Sequence, residues 1–347
     1  MKNLQFDKIK KSYENCNILY KPGPYWIKAT ESLVEIISKD GLDDFRNDMM
    51  MSSFFVPKYG CPTNSFDEDS IKKLIDLTDS INDNKKSLAI RQFLTGYDHA
   101  LSDYRVFLAS NVDSKIPYLG KFSESKIGNP KEHFQFGENN YSRSSLNYLL
   151  GLCFLKKHLT MEDDIKVVLE IGGGFGSLGE ILSYTKGIKY IGLDIFPTSY
   201  VAHNYLTKLF GPNEVNLFDE YFNSEIKVEE LKRFSVLHNY QLPNISGKID
   251  LFVNFISFQE MEPDIVQNYL DHVKRLTPKW ILLRNIREGK ELKNSENDFA
   301  GVKIPIQTSD YVKMLDDQYK CIDTNVFPFG YRTVDGYHSE LSLFKRK

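Results

Sequence analysis

The stretch "VVLEIGGGFGSLGEIL", from Val167 to Leu182, decides how the rest of the chain is interpreted. An apolar run with a strand pattern leads into five glycines within eight residues, and a helical pattern follows. Glycine weakens regular structure by roughly 0.5–1 kcal/mol relative to alanine, so a cluster at a strand-to-helix junction indicates that something approaches the backbone closely. The pattern therefore favours a bound small molecule at this turn.

Outward from this stretch, strand and helix patterns alternate from Lys166 to the end of the chain. The predicted strands are "KVVLEI", "KYIGLDI", "FSVLHNY", "KIDLFVNFIS", "WILLRNI", "CIDTNVF" and "SELSLFKR". Such alternation predicts a parallel sheet with helices on both faces. The last two strands are joined without room for a helix, so the final strand should run antiparallel to its neighbours. We therefore predict an α/β, Rossmann-like fold with a seven-stranded, mostly parallel sheet.

The front of the chain has a different pattern. Apolar positions recur with the helical period in "YWIKATESLVEIIS", "DSIKKLIDLTDSI" and "SLAIRQFLTGYDHALSDYRVFLAS". The polar passage "GKFSESKIGNPKEHFQFGENNYS" contains glycine and proline and is typical of an interdomain connection. We predict a mainly helical region over residues 1–140 that closes over the acceptor, and a ligand-binding α/β domain over residues 141–347.

Composition excludes several classes of protein. The 347 residues carry a net charge of -3 with both signs interspersed, so no broad basic field favours nucleic-acid binding. Four cysteines, Cys16, Cys61, Cys153 and Cys321, lie far apart without zinc-ligand spacing, which predicts reduced, structural thiols. The amino terminus is polar, and no window approaches the roughly 18 apolar residues of a spanning helix. These features predict a cytoplasmic protein without a membrane span.

Two classes of ligand compete for the glycine-rich turn. Gly174, Gly176 and Gly179 fit the dinucleotide fingerprint GxGxxG, which keeps an NAD(P)-dependent oxidoreductase as an alternative. Glu170 precedes the first glycine by two residues, and a carboxylate there suits S-adenosylmethionine, which carries an ammonium and a sulfonium rather than a pyrophosphate. Asp194 ends the second strand, where an acidic residue binds ribose hydroxyls in either class. The simpler role for Glu170 is a charge at the end of a strand, and for Asp194 it is a helix cap.

A wider set of motifs resembles one family. The segments "VVLEIGGGFGSLGEIL", "YIGLDIFPTSYVAHNYLTKLFG" and "KIDLFVNFISFQEM" resemble a bacterial family of sugar O-methyltransferases within the class I S-adenosylmethionine-dependent methyltransferases. The upstream "YSRSSLNYLLG" and the terminal "GYHSELSLFKR" are similar to that family as well. The likeness covers roughly residues 127 to 347. It implies the class I methyltransferase fold and methyl transfer to a hydroxyl of a sugar or glycan.

The resemblance also implies where S-adenosylmethionine binds. The glycine turn would hold the methionyl part, Asp194 the ribose, and the residues after the third and fourth strands the adenine. One departure is "HNYQLPN" after the third strand, where many members of the class I superfamily carry an acidic residue, so that Gln241 or a backbone amide takes that role. The expected cofactor-binding residues are Tyr141, Ser142, Glu170, Gly172, Gly173, Gly174, Gly176, Asp194, Ile195, Gln241 and Leu242.

The catalytic residues are sought at the carboxyl ends of the strands, where ligands of open parallel sheets bind. Glu260 follows the fourth strand, Arg287 follows the fifth, and His338 begins the antiparallel last strand. Methyl transfer requires alignment of the acceptor and removal of its proton. We expect His338 to act as the base, with Glu260 orienting it, binding the sugar or acting as the base itself. The simpler role for His338 is a histidine at the rim of the sheet without a catalytic function, and for Glu260 it is a helix cap.

Two further alternatives stay open. Glu260, Glu262 and Asp264 form an acidic group that would suit a magnesium ion, although such a run at a helix start is more often complementary to the helix dipole. The chain could also be a noncatalytic subunit that binds a partner through its helical front part.

Overall fold

The computed structural model describes residues 11, 13, 16–60, 68–81, 83–216, 224–293 and 301–347. Cys16, Cys153 and Cys321 are free thiols, whereas Cys61 lies outside the described residues. Within the described ranges, no helix combines the length and the apolar composition needed to cross a membrane.

The front of the chain is mainly helical, as predicted. A short 3-10 helix, Ile18–Tyr20, precedes five α-helices: α1 Pro24–Asp40, α2 Met49–Phe54, α3 Glu68–Asp79, α4 Asn84–Leu94 and α5 Tyr97–Ser110. Asp48 caps α2 by accepting a hydrogen bond from the Met51 amide, and Asp83 caps α4 in the same way through Lys85 and Lys86. These caps satisfy amides that have no partner within the helix.

The rest of the described chain forms the α/β part. Its helices are α6 Arg143–His158, α7 Ser177–Ser183, α8 Thr198–Phe210, α9 Pro263–Arg275 and α10 Thr308–Leu315. The strands are β1 Phe134–Phe136, β2 Asn139–Tyr141, β3 Val167–Ile171, β4 Lys189–Asp194, β5 Ile226–Lys227, β6 Phe234–His238, β7 Ile245–Ser246, β8 Leu251–Phe255, β9 Trp280–Ile286, β10 Tyr319–Asn325, β11 Tyr331–Arg332 and β12 His338–Arg346. β1 pairs with β2 and β5 with β7, outside the main sheet.

The strand order of the main sheet confirms the predicted fold class. The seven predicted strands lie in the order β10-β12-β9-β8-β3-β4-β6, and the short β11 pairs with β12. β12 runs antiparallel to both β9 and β10, while β3, β4, β6, β8 and β9 run parallel. Numbered along the chain, this order is 6-7-5-4-1-2-3, the class I methyltransferase arrangement. A dinucleotide-binding sheet in the order 3-2-1-4-5-6 has no such inserted strand.

The register divides the side chains of the sheet between two faces. Glu170 pairs with Gly192 on β4 and with Val253 on β8, and Val253 pairs with Leu282 on β9. Side chains of directly paired residues share a face, because neighbouring strands have the same pleat. This first face packs against α6, α7 and α8, whereas the second face, which carries Leu169 and Leu283, packs against α9 and α10.

The helical front and the α/β part share one hydrophobic core. Leu33, Phe45 and Phe122 belong to the same buried cluster as Phe175 and Tyr205. The passage from Gly120 to Ser142, predicted to be an interdomain connection, is therefore packed rather than open. It folds back through the β1–β2 hairpin and buries Phe122 completely.

A buried polar network reinforces this junction. Arg46, in the loop after α1, forms an ion pair with Glu124, and both side chains are fully buried. Glu124 also accepts hydrogen bonds from the hydroxyls of Ser142, at 2.9 Å, and Ser145, at 2.8 Å. The front region is thereby tied to the first turn of α6.

We expect Arg46→Ala to lower the free energy of unfolding by about 3–5 kcal/mol, because it leaves the buried Glu124 carboxylate without its counter-charge. Urea denaturation measures the loss. The matched control is Arg91→Ala, which removes the exposed pair with Asp79 and should cost no more than about 1 kcal/mol. Equal losses in the two variants would show that the buried pair contributes no more than a surface one.

Candidate functional site

The glycine-rich turn connects β3 to α7 at the carboxyl edge of the sheet. Three of its amides already donate hydrogen bonds within the protein: Gly172 to the Leu193 carbonyl at 2.8 Å, Gly174 to Asp194 Oδ2 at 3.0 Å, and Gly176 to the Gly173 carbonyl at 3.2 Å. A turn that binds a pyrophosphate needs free amides pointing at the ligand. These three amides are not available for that purpose.

The glycines of the turn serve different purposes. A Cβ atom on Gly172 would collide with the Ser257 side chain, and one on Gly173 would collide with the Glu170 carboxyl. Gly174 has φ +61°, and a Cβ atom there would meet nothing closer than the Phe55 carbonyl oxygen at 3.5 Å. Packing inside the protein thus requires glycine at Gly172 and Gly173, and their contact with a cofactor stays a prediction. At Gly174 a Cβ atom would fit, in van der Waals contact with Phe55.

Glu170 lies buried beneath the turn. The Tyr190 hydroxyl donates to its Oε2 at 2.6 Å, while Oε1 is buried and accepts no hydrogen bond from the described residues. Burial raises the pKa of Glu170 to about 7, because a low-polarity environment disfavours the charged form, and the Tyr190 and Tyr148 hydroxyls oppose this only in part. A buried acid with an unsatisfied oxygen is suited to a cationic or hydrogen-donating ligand.

Asp194 ends β4 beside the turn. Its Oδ2 accepts the Gly174 amide, and its Oδ1 accepts the Ile195 amide at 2.7 Å. Burial raises the pKa of Asp194 to about 7, although these two hydrogen bonds favour the charged form. The two amides hold the carboxylate in one orientation at the edge of the sheet, and each of its oxygens keeps a lone pair for hydroxyl donors.

The structure places four other predicted cofactor residues in the interior. Tyr141 is 1% exposed and packs among Tyr104, Phe107, Phe122 and Phe136. Burial raises its pKa to about 12. Ser142 is the N-cap of α6, and its hydroxyl donates a hydrogen bond to Glu124. Gln241 accepts the His238 amide at 2.8 Å, and Leu242 belongs to the second core. Their contact with a cofactor stays a prediction.

His338 has a carboxylate partner, but a different one from that predicted. Its Nδ1 lies 2.6 Å from Glu288 Oε1, and its backbone amide donates to Glu288 Oε2 at 2.9 Å. Arg287 also donates to Glu288, at 3.2 Å. Although burial alone would raise the pKa of Glu288, these hydrogen bonds lower it to about 2. Glu288, rather than Glu260, therefore orients His338.

Glu260 is bound to the front region instead. The Trp26 indole donates to its Oε2 at 3.0 Å, and the Lys290 ammonium lies 3.3 Å from Oε1. The nearby Glu262 accepts the backbone amides of Lys303, at 3.0 Å, and Ile304, at 3.1 Å. Across the described ranges, no three acidic, histidine or cysteine side chains converge as a metal site would require. The predicted magnesium group is thus separated by its hydrogen-bond partners.

The sheet register separates His338 from Glu170. Glu340 pairs with Asn285 on β9, and alternation along β12 places His338 on the same face as Glu340. That face is the one opposite to Glu170. Local sequence patterns place a residue after a strand but carry no information about which face of the sheet its side chain occupies.

Several residues near the turn were not found from the sequence. Trp26 and Phe55 come from the front helices, and Tyr148 and Tyr190 flank the Glu170 carboxyl. An aromatic residue in a helix or strand is more often part of the core, so nothing in the local pattern distinguishes these four. Their proximity depends on contacts between distant parts of the chain.

Comparisons with known proteins give distant structural likenesses. No protein-family model matches the chain, and no curated protein matches it either. Magnesium protoporphyrin IX methyltransferase (ChlM) from Synechocystis PCC 6803 with bound SAH is similar with a TM-score of 0.41 and 15% identity, over 58% of this chain and 82% of that chain. The mitomycin 7-O-methyltransferase MmcR gives 0.38 and 10%, over 94% and 69% of the two chains.

The pyocyanin biosynthetic protein PhzM gives a TM-score of 0.37 and 9% identity, over 93% of this chain and 69% of that chain. Likenesses of this strength identify no substrate. The fold class is therefore established by the strand order of the chain itself.

Proposed function

We propose that the chain is an S-adenosylmethionine-dependent O-methyltransferase that acts on a hydroxyl of a sugar or glycan in the cytoplasm. The observation that carries the proposal is Glu170, a buried carboxyl with an unsatisfied oxygen directly beneath a turn whose amides are largely occupied. Such a site favours a ligand that brings a positive charge and hydrogen-bond donors.

The residues of the turn fit this cofactor. Glu170 Oε1 would accept from the ammonium of the methionyl part, which would lie over Gly174 and beside Phe55. Asp194 would accept from the ribose hydroxyls, since both of its oxygens are already oriented by backbone amides. The chain near Gln241 and Leu242 would contact the adenine. When bound, the cofactor supplies an activated methyl group.

The same geometry disfavours the NAD(P) alternative. A pyrophosphate at the turn would lie close to the carboxylates of Glu170 and Asp194 and would find the amides of Gly172, Gly174 and Gly176 already used. Like charges at short range in a partly buried site are costly. The inserted antiparallel β12 is also absent from the dinucleotide-binding strand order.

The sugar acceptor is supported by the family resemblance and by the polar groups of the rim. Arg287 is partly exposed and lies between Glu288 and Glu340, and Glu260 is presented beside Trp26. Guanidinium, carboxylate and indole groups together suit a ligand with many hydroxyls. His338, with Nδ1 held by Glu288, keeps Nε2 for a hydrogen bond with the acceptor. The front helices would close over this acceptor.

The test of the cofactor is a thermal-shift series with S-adenosylmethionine, S-adenosylhomocysteine and NADH. We expect the first two to stabilise the folded protein by about 2.7 kcal/mol at a concentration 100 times their Kd, because they bind only the folded state. NADH should leave the melting temperature unchanged. Stabilisation by NADH alone would contradict the proposal, and no response to any of the three would favour the noncatalytic alternative.

A further inference from the structure

A tyrosine that the sequence did not single out lies on the face of the sheet that carries Glu170. Tyr331 in β11 pairs with Ser339 in β12, and Ser339 pairs with Ile286 in β9. Ile286 and Arg284 are two residues apart on β9 and so share a face, and Arg284 pairs with Phe255 in β8. Phe255 and Val253 point the same way, and Val253 pairs with Glu170.

Two guanidinium groups lie on the same face as this tyrosine. The Arg143 guanidinium carbon lies 5.3 Å from the centre of the Tyr331 ring, which is a cation–π contact. Arg284 is completely buried, donates through Nη2 to the Asn147 and Phe329 carbonyls, and has a buried Nε without a partner. Within the described part of the chain, no carboxylate oxygen lies within 4.0 Å of either guanidinium. A buried cation of this kind requires a compensating anion.

The charged groups around the pair come from several elements. Tyr59 stacks against Arg143 at 5.7 Å and donates its hydroxyl to Asp103 Oδ2 at 2.5 Å. Glu132 accepts the amides of Tyr59 and Gly60 at 2.9 Å and 2.6 Å, so its oxygens are engaged. Burial raises the pKa of both Asp103 and Glu132, and the positive charge of Arg143 opposes this rise in both. Of the two tyrosines beside Arg143, Tyr331 has the ring nearer to the guanidinium carbon.

The electrostatics of Tyr331 differ from those of its neighbours. Burial raises the pKa of Tyr59 and Tyr148 well above the ordinary value. Burial would do the same for Tyr331, but the charges of Arg143 and Arg284 outweigh it and lower its pKa below the ordinary value of about 10.

A continuous set of side chains joins this group to the proposed cofactor site. The Arg284 guanidinium carbon lies 5.2 Å from the centre of the Phe255 ring, and Phe255 stacks on Tyr148 at 5.0 Å between ring centres. Tyr148 in turn faces the Glu170 carboxyl. Tyr331, at the end of this row, is partly exposed.

We propose that Tyr331, beside Arg143 and Arg284 on the face of the sheet that carries Glu170, is the proton acceptor for the hydroxyl that is methylated. This inference rests on the proposed function. The acceptor oxygen forms a bond to the methyl carbon as the carbon–sulfur bond breaks, and the sulfonium becomes a neutral thioether. The hydroxyl proton passes to Tyr331 Oη, which later releases it to water. His338, on the opposite face, then has no part in proton removal.

The first experiment needs neither cofactor nor acceptor. Tyrosinate absorbance near 295 nm is followed as the pH of the free protein is raised, and we expect one of the 20 tyrosines to ionise ahead of the others. That step should disappear in Tyr331→Phe and move to higher pH in Arg143→Gln. Tyr184→Phe removes a tyrosine hydroxyl at the carboxyl end of α7, the end away from the glycine-rich turn. This control should leave the early ionisation step in place. Persistence of the step in Tyr331→Phe overturns the proposal.

The second experiment measures turnover with a confirmed acceptor. We expect Tyr331→Phe to lower kcat by about 10²–10⁴-fold, the usual contribution of a positioned base, and to abolish the rise of kcat with pH that deprotonation of the base produces. Its affinity for S-adenosylmethionine, measured by calorimetry, should equal that of the wild type. A mild effect of Tyr331→Phe with a large effect of His338→Ala would overturn the inference and identify His338 as the base. Failure of the wild-type protein to bind S-adenosylmethionine would instead overturn the proposed function.

Discussion

Glu170→Gln is expected to weaken S-adenosylmethionine binding and, at the same time, to stabilise the free protein at alkaline pH. In the complex, the substitution removes the charged acceptor of the cofactor ammonium. Truncating one member of a buried charge pair typically costs about 2–5 kcal/mol, which corresponds to a loss in affinity of about 30-fold or more. Isothermal titration calorimetry at pH 8 measures this loss.

The stability effect has the opposite sign. Burial raises the pKa of Glu170 from 4.5 to about 7 in the folded state, so between these values the folded carboxyl keeps a proton that the unfolded one has released. The folded state then binds more protons, and the free energy of unfolding falls as the pH rises through this window, by on the order of 3 kcal/mol for this group. Glutamine does not titrate, so the free energy of unfolding of Glu170→Gln does not fall in this window.

Urea denaturation at pH 5 and pH 8 separates the two forms. We expect Glu170→Gln to have a higher unfolding free energy than the wild type at pH 8 and no such advantage at pH 5. Glu260→Gln, which changes a carboxylate held by Trp26 and Lys290, is the control for a general effect of removing a charge near the rim. If Glu170→Gln were less stable than the wild type at pH 8, burial would not destabilise the ionised Glu170 carboxylate.

Gly174→Ala is expected to weaken cofactor binding by about 10- to 100-fold. The new methyl group would meet no protein atom closer than 3.5 Å, so it would occupy the space assigned to the methionyl part. Overpacking of this kind costs about 1–3 kcal/mol. The left-handed backbone at φ +61° adds a cost of about 1–2 kcal/mol to folding for any residue with a Cβ atom.

A matched variant isolates the ligand effect from the backbone effect. Gly187 has φ +90° and nothing within 4 Å of its Cβ position, but it lies at the far end of α7. We expect Gly187→Ala to lose a similar amount of stability and to bind S-adenosylmethionine with wild-type affinity. Equal affinity of the two variants would place the methionyl part somewhere other than over Gly174.

The sequence by itself determined the order of the structural elements. Periodicity and glycine placement predicted the seven strands, the antiparallel last strand and the helical front, because these depend on patterns that repeat within a few residues. It also located the turn, Glu170 and Asp194, since an acidic residue at a strand end beside a glycine cluster is a local feature.

Only the tertiary structure decided which side chains meet. Glu288 rather than Glu260 holds His338, because the turn after β9 folds back onto the start of β12. Gly172 and Gly173 are required by Ser257 and Glu170 rather than by a ligand. Arg143, Arg284 and Tyr331 come from α6, β9 and β11, separated by more than a hundred residues from first to last. Local sequence patterns carry no signal for such contacts, because strand register and packing across the sheet determine them.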